Sequence, residues 1–192
     1  MSPFGREALD RLRARFRERT AMEIDNPTHR RACVIAPLVE TPRGWALLFC
    51  RRSEDLRTHS GQMAFPGGAW HEGESLANAA RRETEEEVGI PADQVEVIGR
   101  LDDLVTISGY IVAPFVGVIP SGFDYVLQAS EVKEVYEVSL AALLDPANPE
   151  IRAIEFQGRR YPSYFYHHDG PVIWGLTGRM VKSLLDEVRL VL

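Results

Sequence analysis

Gly68-Ala69-Trp70-His71-Glu72-Gly73-Glu74, followed after seven residues by Arg82-Glu83-Thr84-Glu85-Glu86-Glu87-Val88-Gly89-Ile90, is the stretch from which fold and chemistry both follow. Ser75 is a good N-cap, and Gly89 and then Pro91 are stop signals, so the spacing predicts a helix over 76–88. At 3.6 residues per turn, Glu83, Glu86 and Glu87 fall on one face of that helix while Glu85 points away. Like charges three and four residues apart cost about 0.2–0.5 kcal/mol per pair. The helix C-terminus, where these acids lie, disfavours anions further. A helix so arranged is locally frustrated, and a hard divalent cation is the obvious relief. The bland alternative is a solvated acidic face softened by Arg81–Glu85 and Arg82–Glu86 pairs.

Carboxylate oxygens suit magnesium or manganese, and no cysteine or histidine spacing here suits structural zinc. Magnesium takes one or two carboxylates and completes its shell with water and substrate phosphate oxygens. An open row of carboxylates therefore reads as a site for phosphate chemistry.

Working outward, residues 32–39 and 45–51 read as strands joined by the turn Thr41-Pro42-Arg43-Gly44, and 53–62 as a polar loop. Residues 95–101 and 109–119 are further strand candidates, the second interrupted by Pro114, as are 135–140 and 161–167. Phe4, Leu9, Leu12 and Phe16 predict an amphipathic helix over 5–19. Met180, Val181, Leu184, Leu185 and Val188 predict a closing helix. Strands outnumber helices, with one helix at each end and one in the middle, so the expected class is a mixed α/β sandwich.

The length of 192 residues fits one domain spanning 1–192, with 1–25 as a helical extension. Apolar residues at 45% and charged residues at 26% exclude a disordered or fibrous chain. Unbroken apolar runs are short, such as Trp45-Ala46-Leu47-Leu48-Phe49-Cys50, far from the roughly 20 residues of a membrane helix. Arginines stud residues 4–19 where a secretory leader would be apolar, so a cytoplasmic protein is expected, with Cys33 and Cys50 as buried free thiols. The net charge of −6 argues against a nucleic-acid binder. The first 31 residues nevertheless hold eight arginines against five acids, a positive head that reads as a solvated helix face or as a polyanion contact.

The spacing Gly68, Glu74, Arg82-Glu83, Glu86-Glu87, Gly89-Ile90 resembles the signature of the Nudix hydrolases, with Thr84 standing where that family prefers an aliphatic residue. Upstream, Arg52-Ser53, Arg57, Gly61 and Phe65-Pro66-Gly67-Gly68 resemble the extra motif of the coenzyme A diphosphatase branch; Phe49 and Cys50 depart from its usual Leu and Thr. Ile173-Trp174-Gly175-Leu176-Thr177 is also similar to that branch.

The resemblance implies an α/β/α sandwich around a mixed β-sheet. It further implies a divalent metal, Mg2+ or Mn2+, held by Glu83, Glu86, Glu87 and the carbonyl of Gly67. In the box 68–90, Gly68 and Gly89 would be structural, and Glu74 and Arg82 would tie loop to helix by an ion pair. The implied reaction is hydrolysis of a phosphoanhydride by water, with Glu83 or Glu86, or an acid among Glu131, Glu134 and Glu137, as general base. Arg51, Arg52, Arg57 and His59 are the candidate contacts to substrate phosphate, since arginine's fork matches phosphate geometry. His71 reads equally as a surface residue, and Tyr161, Tyr164, Phe165 and Tyr166 read as sheet packing or as an adenine stack.

Neither a Walker loop, a Gly-x-Gly-x-x-Gly, a Cys-x-x-Cys nor a Gly-x-Ser-x-Gly elbow occurs, so covalent catalysis has no sequence support. The expected substrate is coenzyme A, its thioesters or a related nucleotide such as ADP-ribose or NADH. A non-catalytic nucleotide sensor is the reading from another class. The expected assembly is a monomer or homodimer.

Overall fold

Side chains of residues 45–50 alternate between two apolar cores, and that alternation organises the molecule. In the computed structural model, which describes residues 4–54, 59–156 and 158–192, the run lies in β2 (Gly44–Arg52), antiparallel to β1 (Arg30–Thr41). Trp45, Leu47 and Phe49 enter one core, while Ala46, Leu48 and Cys50 enter the other. A strand apolar on both faces belongs in the interior of a sandwich.

Around it run β3 (Met63–Ala64), β4 (Gly67–Ala69), β5 (Glu96–Arg100), β6 (Leu104–Val105), β7 (Tyr110–Ile119) and β8 (Val132–Ser139). The eight strands form one mixed sheet in the order β3-β2-β1-β7-β5, with β4 on β1, β6 on β7 and β8 on β2. The β1–β7 pair is parallel; the others are antiparallel.

Four helices cover the two faces. α1 (Arg6–Glu18), α3 (Leu140–Leu144) and α4 (Gly175–Arg189) pack on one face through Leu9, Leu12, Phe16, Leu143, Met180, Val181, Leu184, Leu185 and Val188. α2 (Leu76–Val88) covers the other with Ala79, Ala80 and Val88. Its ends are those the local residues dictate. The Ser75 hydroxyl accepts from the Asn78 N–H at 3.2 Å, and Gly89, at φ 78°, donates its N–H back to Glu85.

Three features depart from the sequence reading. β7 runs straight through Pro114. The N–H and C=O of one strand residue point the same way, and the Pro114 carbonyl accepts from Leu101 N–H (2.8 Å) where β5 gives way to β6. The missing donor thus falls at a changeover and breaks no ladder. α3 is one short turn after β8, and β9 (Glu150–Phe156) pairs with β10 (Arg159–Phe165) in a separate two-stranded sheet. The strand expected over 161–167 therefore ends at Phe165.

The arginine head is the solvated helix face the alternating signs suggest, with Arg6, Arg11 and Arg17 exposed, and most of its arginines also pair with acids of the chain. Arg6 pairs with Glu40, Arg13 with Glu96 at 2.6 Å, and Arg15 and Arg19 with Glu187 of α4. Arg19 also reaches Asp102 at 2.7 Å, and Arg31 meets the buried Asp103 at 2.8 Å. Cys33 and Cys50 are both buried and free, with burial pushing the Cys33 thiol up to about 12. Among the described residues no helix is long and apolar enough to cross a membrane.

Candidate active site

Two adjacent glycines bring the loop before α2 against the sheet. β4 pairs with β1 so that Gly67 stands opposite Val34 and Gly68 opposite Cys33. A Cβ at Gly67 would lie 2.2 Å from the Cys33 carbonyl oxygen and 2.5 Å from Val34 Cα, and φ there is +154°. Only glycine permits that approach and that torsion. A Cβ at Gly68 would instead meet the Glu83 carboxylate, 2.4 Å from Oε2 and 2.7 Å from Oε1. One glycine thus seats the loop on β1, and the next leaves room for an acid of α2.

On α2, Glu87 is the buried member of the acidic face, 3% exposed, with Oε2 accepting the Gly67 N–H at 3.0 Å. Burial pushes its carboxyl up to about 8, against the pull of Gly67 N–H and the Arg52 charge, and the Glu131 and Glu83 charges add to the rise. Burial likewise raises Glu83, with Arg82 opposing and Glu86 and Glu131 reinforcing. Glu86 is exposed, and Glu85 turns away to accept the Ala92 N–H at 3.2 Å. Thr84, fully buried beneath the helix, donates its hydroxyl to the Ala80 carbonyl at 2.8 Å, which satisfies the polar group at its apolar site.

Glu74 and Arg82 join loop to helix. Arg82 sets Nη2 at 2.9 Å and Nε at 3.3 Å on the two oxygens of Glu74, and Nη2 also reaches the Ala69 carbonyl. Its Nη1 donates to Glu83 Oε1 at 2.9 Å and to Glu86 Oε2 at 3.2 Å. Arg81 forms no such pair with Glu85; it donates to the Val95 carbonyl and to Asn78.

Among the described residues no three His, Cys, Asp or Glu side chains converge on one point for a metal ion, and Arg82 Nη1 stands between Glu83 and Glu86. The donor chemistry nonetheless fits a hard cation. Every donor is oxygen, and Glu87 is buried with two further carboxylates raising the cost of its charge. Arg52, the arginine whose charge acts on Glu87, has its Nε buried without a hydrogen-bond partner among the described residues.

The remaining candidates divide between the faces. Arg52 follows Cys50 onto the α2 side, where its charge reaches both Cys50 and Glu87. Arg51 follows Phe49 onto the opposite side and pairs with Glu134 at 3.2 Å and Glu54 at 3.3 Å. Tyr136 also donates to Glu134, at 2.8 Å, and these partners hold its carboxyl low. Glu137 accepts from the Tyr125 hydroxyl at 2.7 Å, while Glu131 is the acid whose charge acts on both Glu83 and Glu87. The structure therefore gathers Gly67, Gly68, Glu74, Arg82, Glu83, Glu86, Glu87 and Arg52, and sets Arg51 with Glu134 elsewhere. His59, at φ 56°, bonds Gln62 through Nδ1 at 2.9 Å. Arg57 lies outside the described residues. Sequence reading passes over the Gly67 N–H, whereas strand alternation already sets Arg51 and Arg52 on opposite faces of β2.

A mixed sheet between helices, with a carboxylate-bearing helix clamped to a double-glycine loop, defines an α/β/α class of proteins. The NUDIX domain matches residues 28–156, and the chain belongs to the Nudix hydrolase family. It is 38% identical over 166 residues to the uncharacterized Nudix hydrolase NudL of Photorhabdus laumondii, covering 86% of this chain and 87% of that protein. The NudL of Yersinia pestis is also 38% identical, over 84% of this chain and 81% of its own length. A MutT/nudix family protein from Enterococcus faecalis shares the fold at TM-score 0.55 and 14% identity, over 94% of this chain and 70% of that one. RenU of M. smegmatis does so at 0.50 and 23%, over 57% and 70%.

Proposed function

We propose that this chain hydrolyses the phosphoanhydride of coenzyme A or its thioesters, releasing 4′-phosphopantetheine (or its acyl form) and adenosine 3′,5′-bisphosphate. The observation that carries the proposal is the meeting of two motifs on one buried carboxylate. Gly67 of the upstream motif donates its N–H to Glu87 at 3.0 Å, and the Arg52 charge of the same motif acts on Glu87 from the sheet. That the upstream motif and the acidic helix meet there supports reading the motif's residues as substrate-recognising.

In this reading Glu83, Glu86, Glu87 and the Gly67 carbonyl hold Mg2+ or Mn2+. When bound, the ion neutralises phosphate oxygens and acidifies a water. Arg52, with Arg57 and His59, binds and orients the diphosphate; Arg51, tied to Glu134 on the other face of β2, is left out of the site. Water oxygen bonds to one phosphorus as the bridging oxygen leaves with its electron pair. A carboxylate takes the water's proton, a task worth about 10²–10⁴-fold. Glu83 and Glu86 are the candidates on the helix, and Glu131, in the turn before β8, is the candidate outside it; Glu134 is held by Arg51 and Tyr136 on the other face. The substrate is a small molecule, the protein acts in the cytoplasm as a monomer or homodimer, and neither nucleic acid nor membrane is a partner.

A panel of coenzyme A, an acyl-coenzyme A, ADP-ribose and NADH, assayed with Mg2+ and with Mn2+ and resolved by product, tests the proposal. Coenzyme A or its thioester is expected to be the best substrate; if it is the poorest, the branch assignment is wrong. Wild-type turnover in both Glu83→Gln and Glu87→Gln would remove the metal site itself.

A further inference from the structure

We propose that Arg82 is a built-in competitor of the metal ion, its Nη1 holding Glu83 and Glu86 together until a divalent cation displaces it. The inference rests on the metal-dependent reading above and deepens it.

The guanidinium has a divided geometry. Its Nε–Nη2 edge lies as a fork on both oxygens of Glu74, at 3.3 and 2.9 Å. Glu74 is itself held, since its Oε1 accepts the His71 N–H at 3.1 Å. The remaining corner, Nη1, has two protons and two acids to receive them: Glu83 Oε1 at 2.9 Å and Glu86 Oε2 at 3.2 Å. Fork and corner are thus separable. Because the guanidinium is rigid, the fork stays on Glu74 with Nη1 in place, and the corner contacts break by the Glu83 and Glu86 side chains turning away from it.

A magnesium-sized ion draws carboxylate oxygens to about 2.1 Å. An ion that takes Glu83 Oε1 and an oxygen of Glu86, the atoms Nη1 now holds, displaces both corner contacts. In return the protein without metal avoids setting Glu83 and Glu86 bare beside one another near a helix C-terminus. Arg82 is therefore a positioning residue with a cost to affinity: it preorganises the acids and lowers their hold on the ion.

The neighbouring Arg81 supplies the control. It carries the same charge one residue away but donates to the Val95 carbonyl and Asn78 rather than to these carboxylates. Mn2+ binding to the full chain, followed by the electron paramagnetic resonance of free Mn2+, separates the cases. Arg82→Gln is expected to bind Mn2+ about two- to fivefold more tightly, the span of a part-exposed ion pair, with Arg81→Gln unchanged. Equal tightening in both variants would make the effect one of bulk charge and overturn the proposal. Weaker binding by a folded Arg82→Gln would make Arg82 a support only and overturn it as well. Should Arg82→Gln fail to fold, the nitrogen-15 signals of the arginines in the wild type decide. Guanidinium rotation at Arg82, assigned with Arg82→Lys, is expected to be slow without Mg2+ and faster at saturation; no change would overturn the proposal. Wild type that binds no Mn2+ at millimolar concentration instead sinks the metal-dependent reading, a different failure.

Discussion

Alanine placed at each of the two loop glycines in turn is expected to separate stability from activity. At position 67 the new methyl meets backbone, with the Cys33 carbonyl oxygen at 2.2 Å and Val34 Cα at 2.5 Å, at a φ of +154°. Neither neighbour can rotate away, so overpacking and torsional strain together cost about 2–6 kcal/mol. For a chain of this size that lowers Tm by about 5–20 °C. At position 68 the methyl meets only the end of a flexible side chain, Glu83 Oε2 at 2.4 Å, where ordinary contact begins at 3.4 Å. The carboxylate must retreat by about 1 Å, which leaves stability within about 1 kcal/mol of wild type. A misplacement of that size in a reacting group costs about 10²-fold in turnover. Thermal melts followed by circular dichroism, with product release measured well below the melting range, give both quantities. If Gly67→Ala melts with the wild type, or Gly68→Ala loses stability while keeping its activity, the placement of Glu83 against the loop is refuted.

Glu87→Gln removes a buried carboxyl whose ionisation the fold disfavours, while its amide oxygen can still accept the Gly67 N–H. Without metal it is expected to melt above the wild type, and its turnover to fall about 10²-fold or more. Leu12→Ala, at a fully buried position of α1, is expected to cost about 2–5 kcal/mol in urea unfolding. Deleting residues 1–19 strips Phe4, Leu9, Leu12 and Phe16 from the core, so aggregation rather than an active shortened enzyme is the expected outcome. Burial holds the His168 imidazole below its usual 6.5, opposed by the Pro171 carbonyl and Asp169. The folded state thus disfavours the charged ring, and this contribution is complete above pH 6.5 and lost as pH falls below it. A plot of Tm against pH is expected to fall more steeply from 7 to 5 in the wild type than in His168→Gln; parallel curves would contradict it.

What the sequence makes legible here is local, and what it hides depends on pairing between distant segments. α2 could be bounded to the residue because Ser75 and Gly89 act on their own helix ends. α1 and α4 were readable because their apolar stripes keep a 3.6 period. α3, at five residues, is too short to show a period, and every residue of β9 whose side chain is described is exposed, so no core-facing alternation marks it. The acidic face shows the same division. That Glu83, Glu86 and Glu87 share a side follows from helix geometry, but their unequal burial does not. It comes from β4 pressing Gly67 and Gly68 onto β1, a contact between residues some 35 apart along the chain. Alternation along β2 separates Arg51 from Arg52, but the partner of Arg51 is set by β2 pairing with β8, which places Glu134 opposite it. The charge repulsion that first singled out α2 is therefore met in two ways. Arg82 and Glu74 share it among side chains at the surface, while Glu87 is left buried against a single N–H. That asymmetry is what gives the helix an inner carboxylate in need of a cation and an outer pair already holding one.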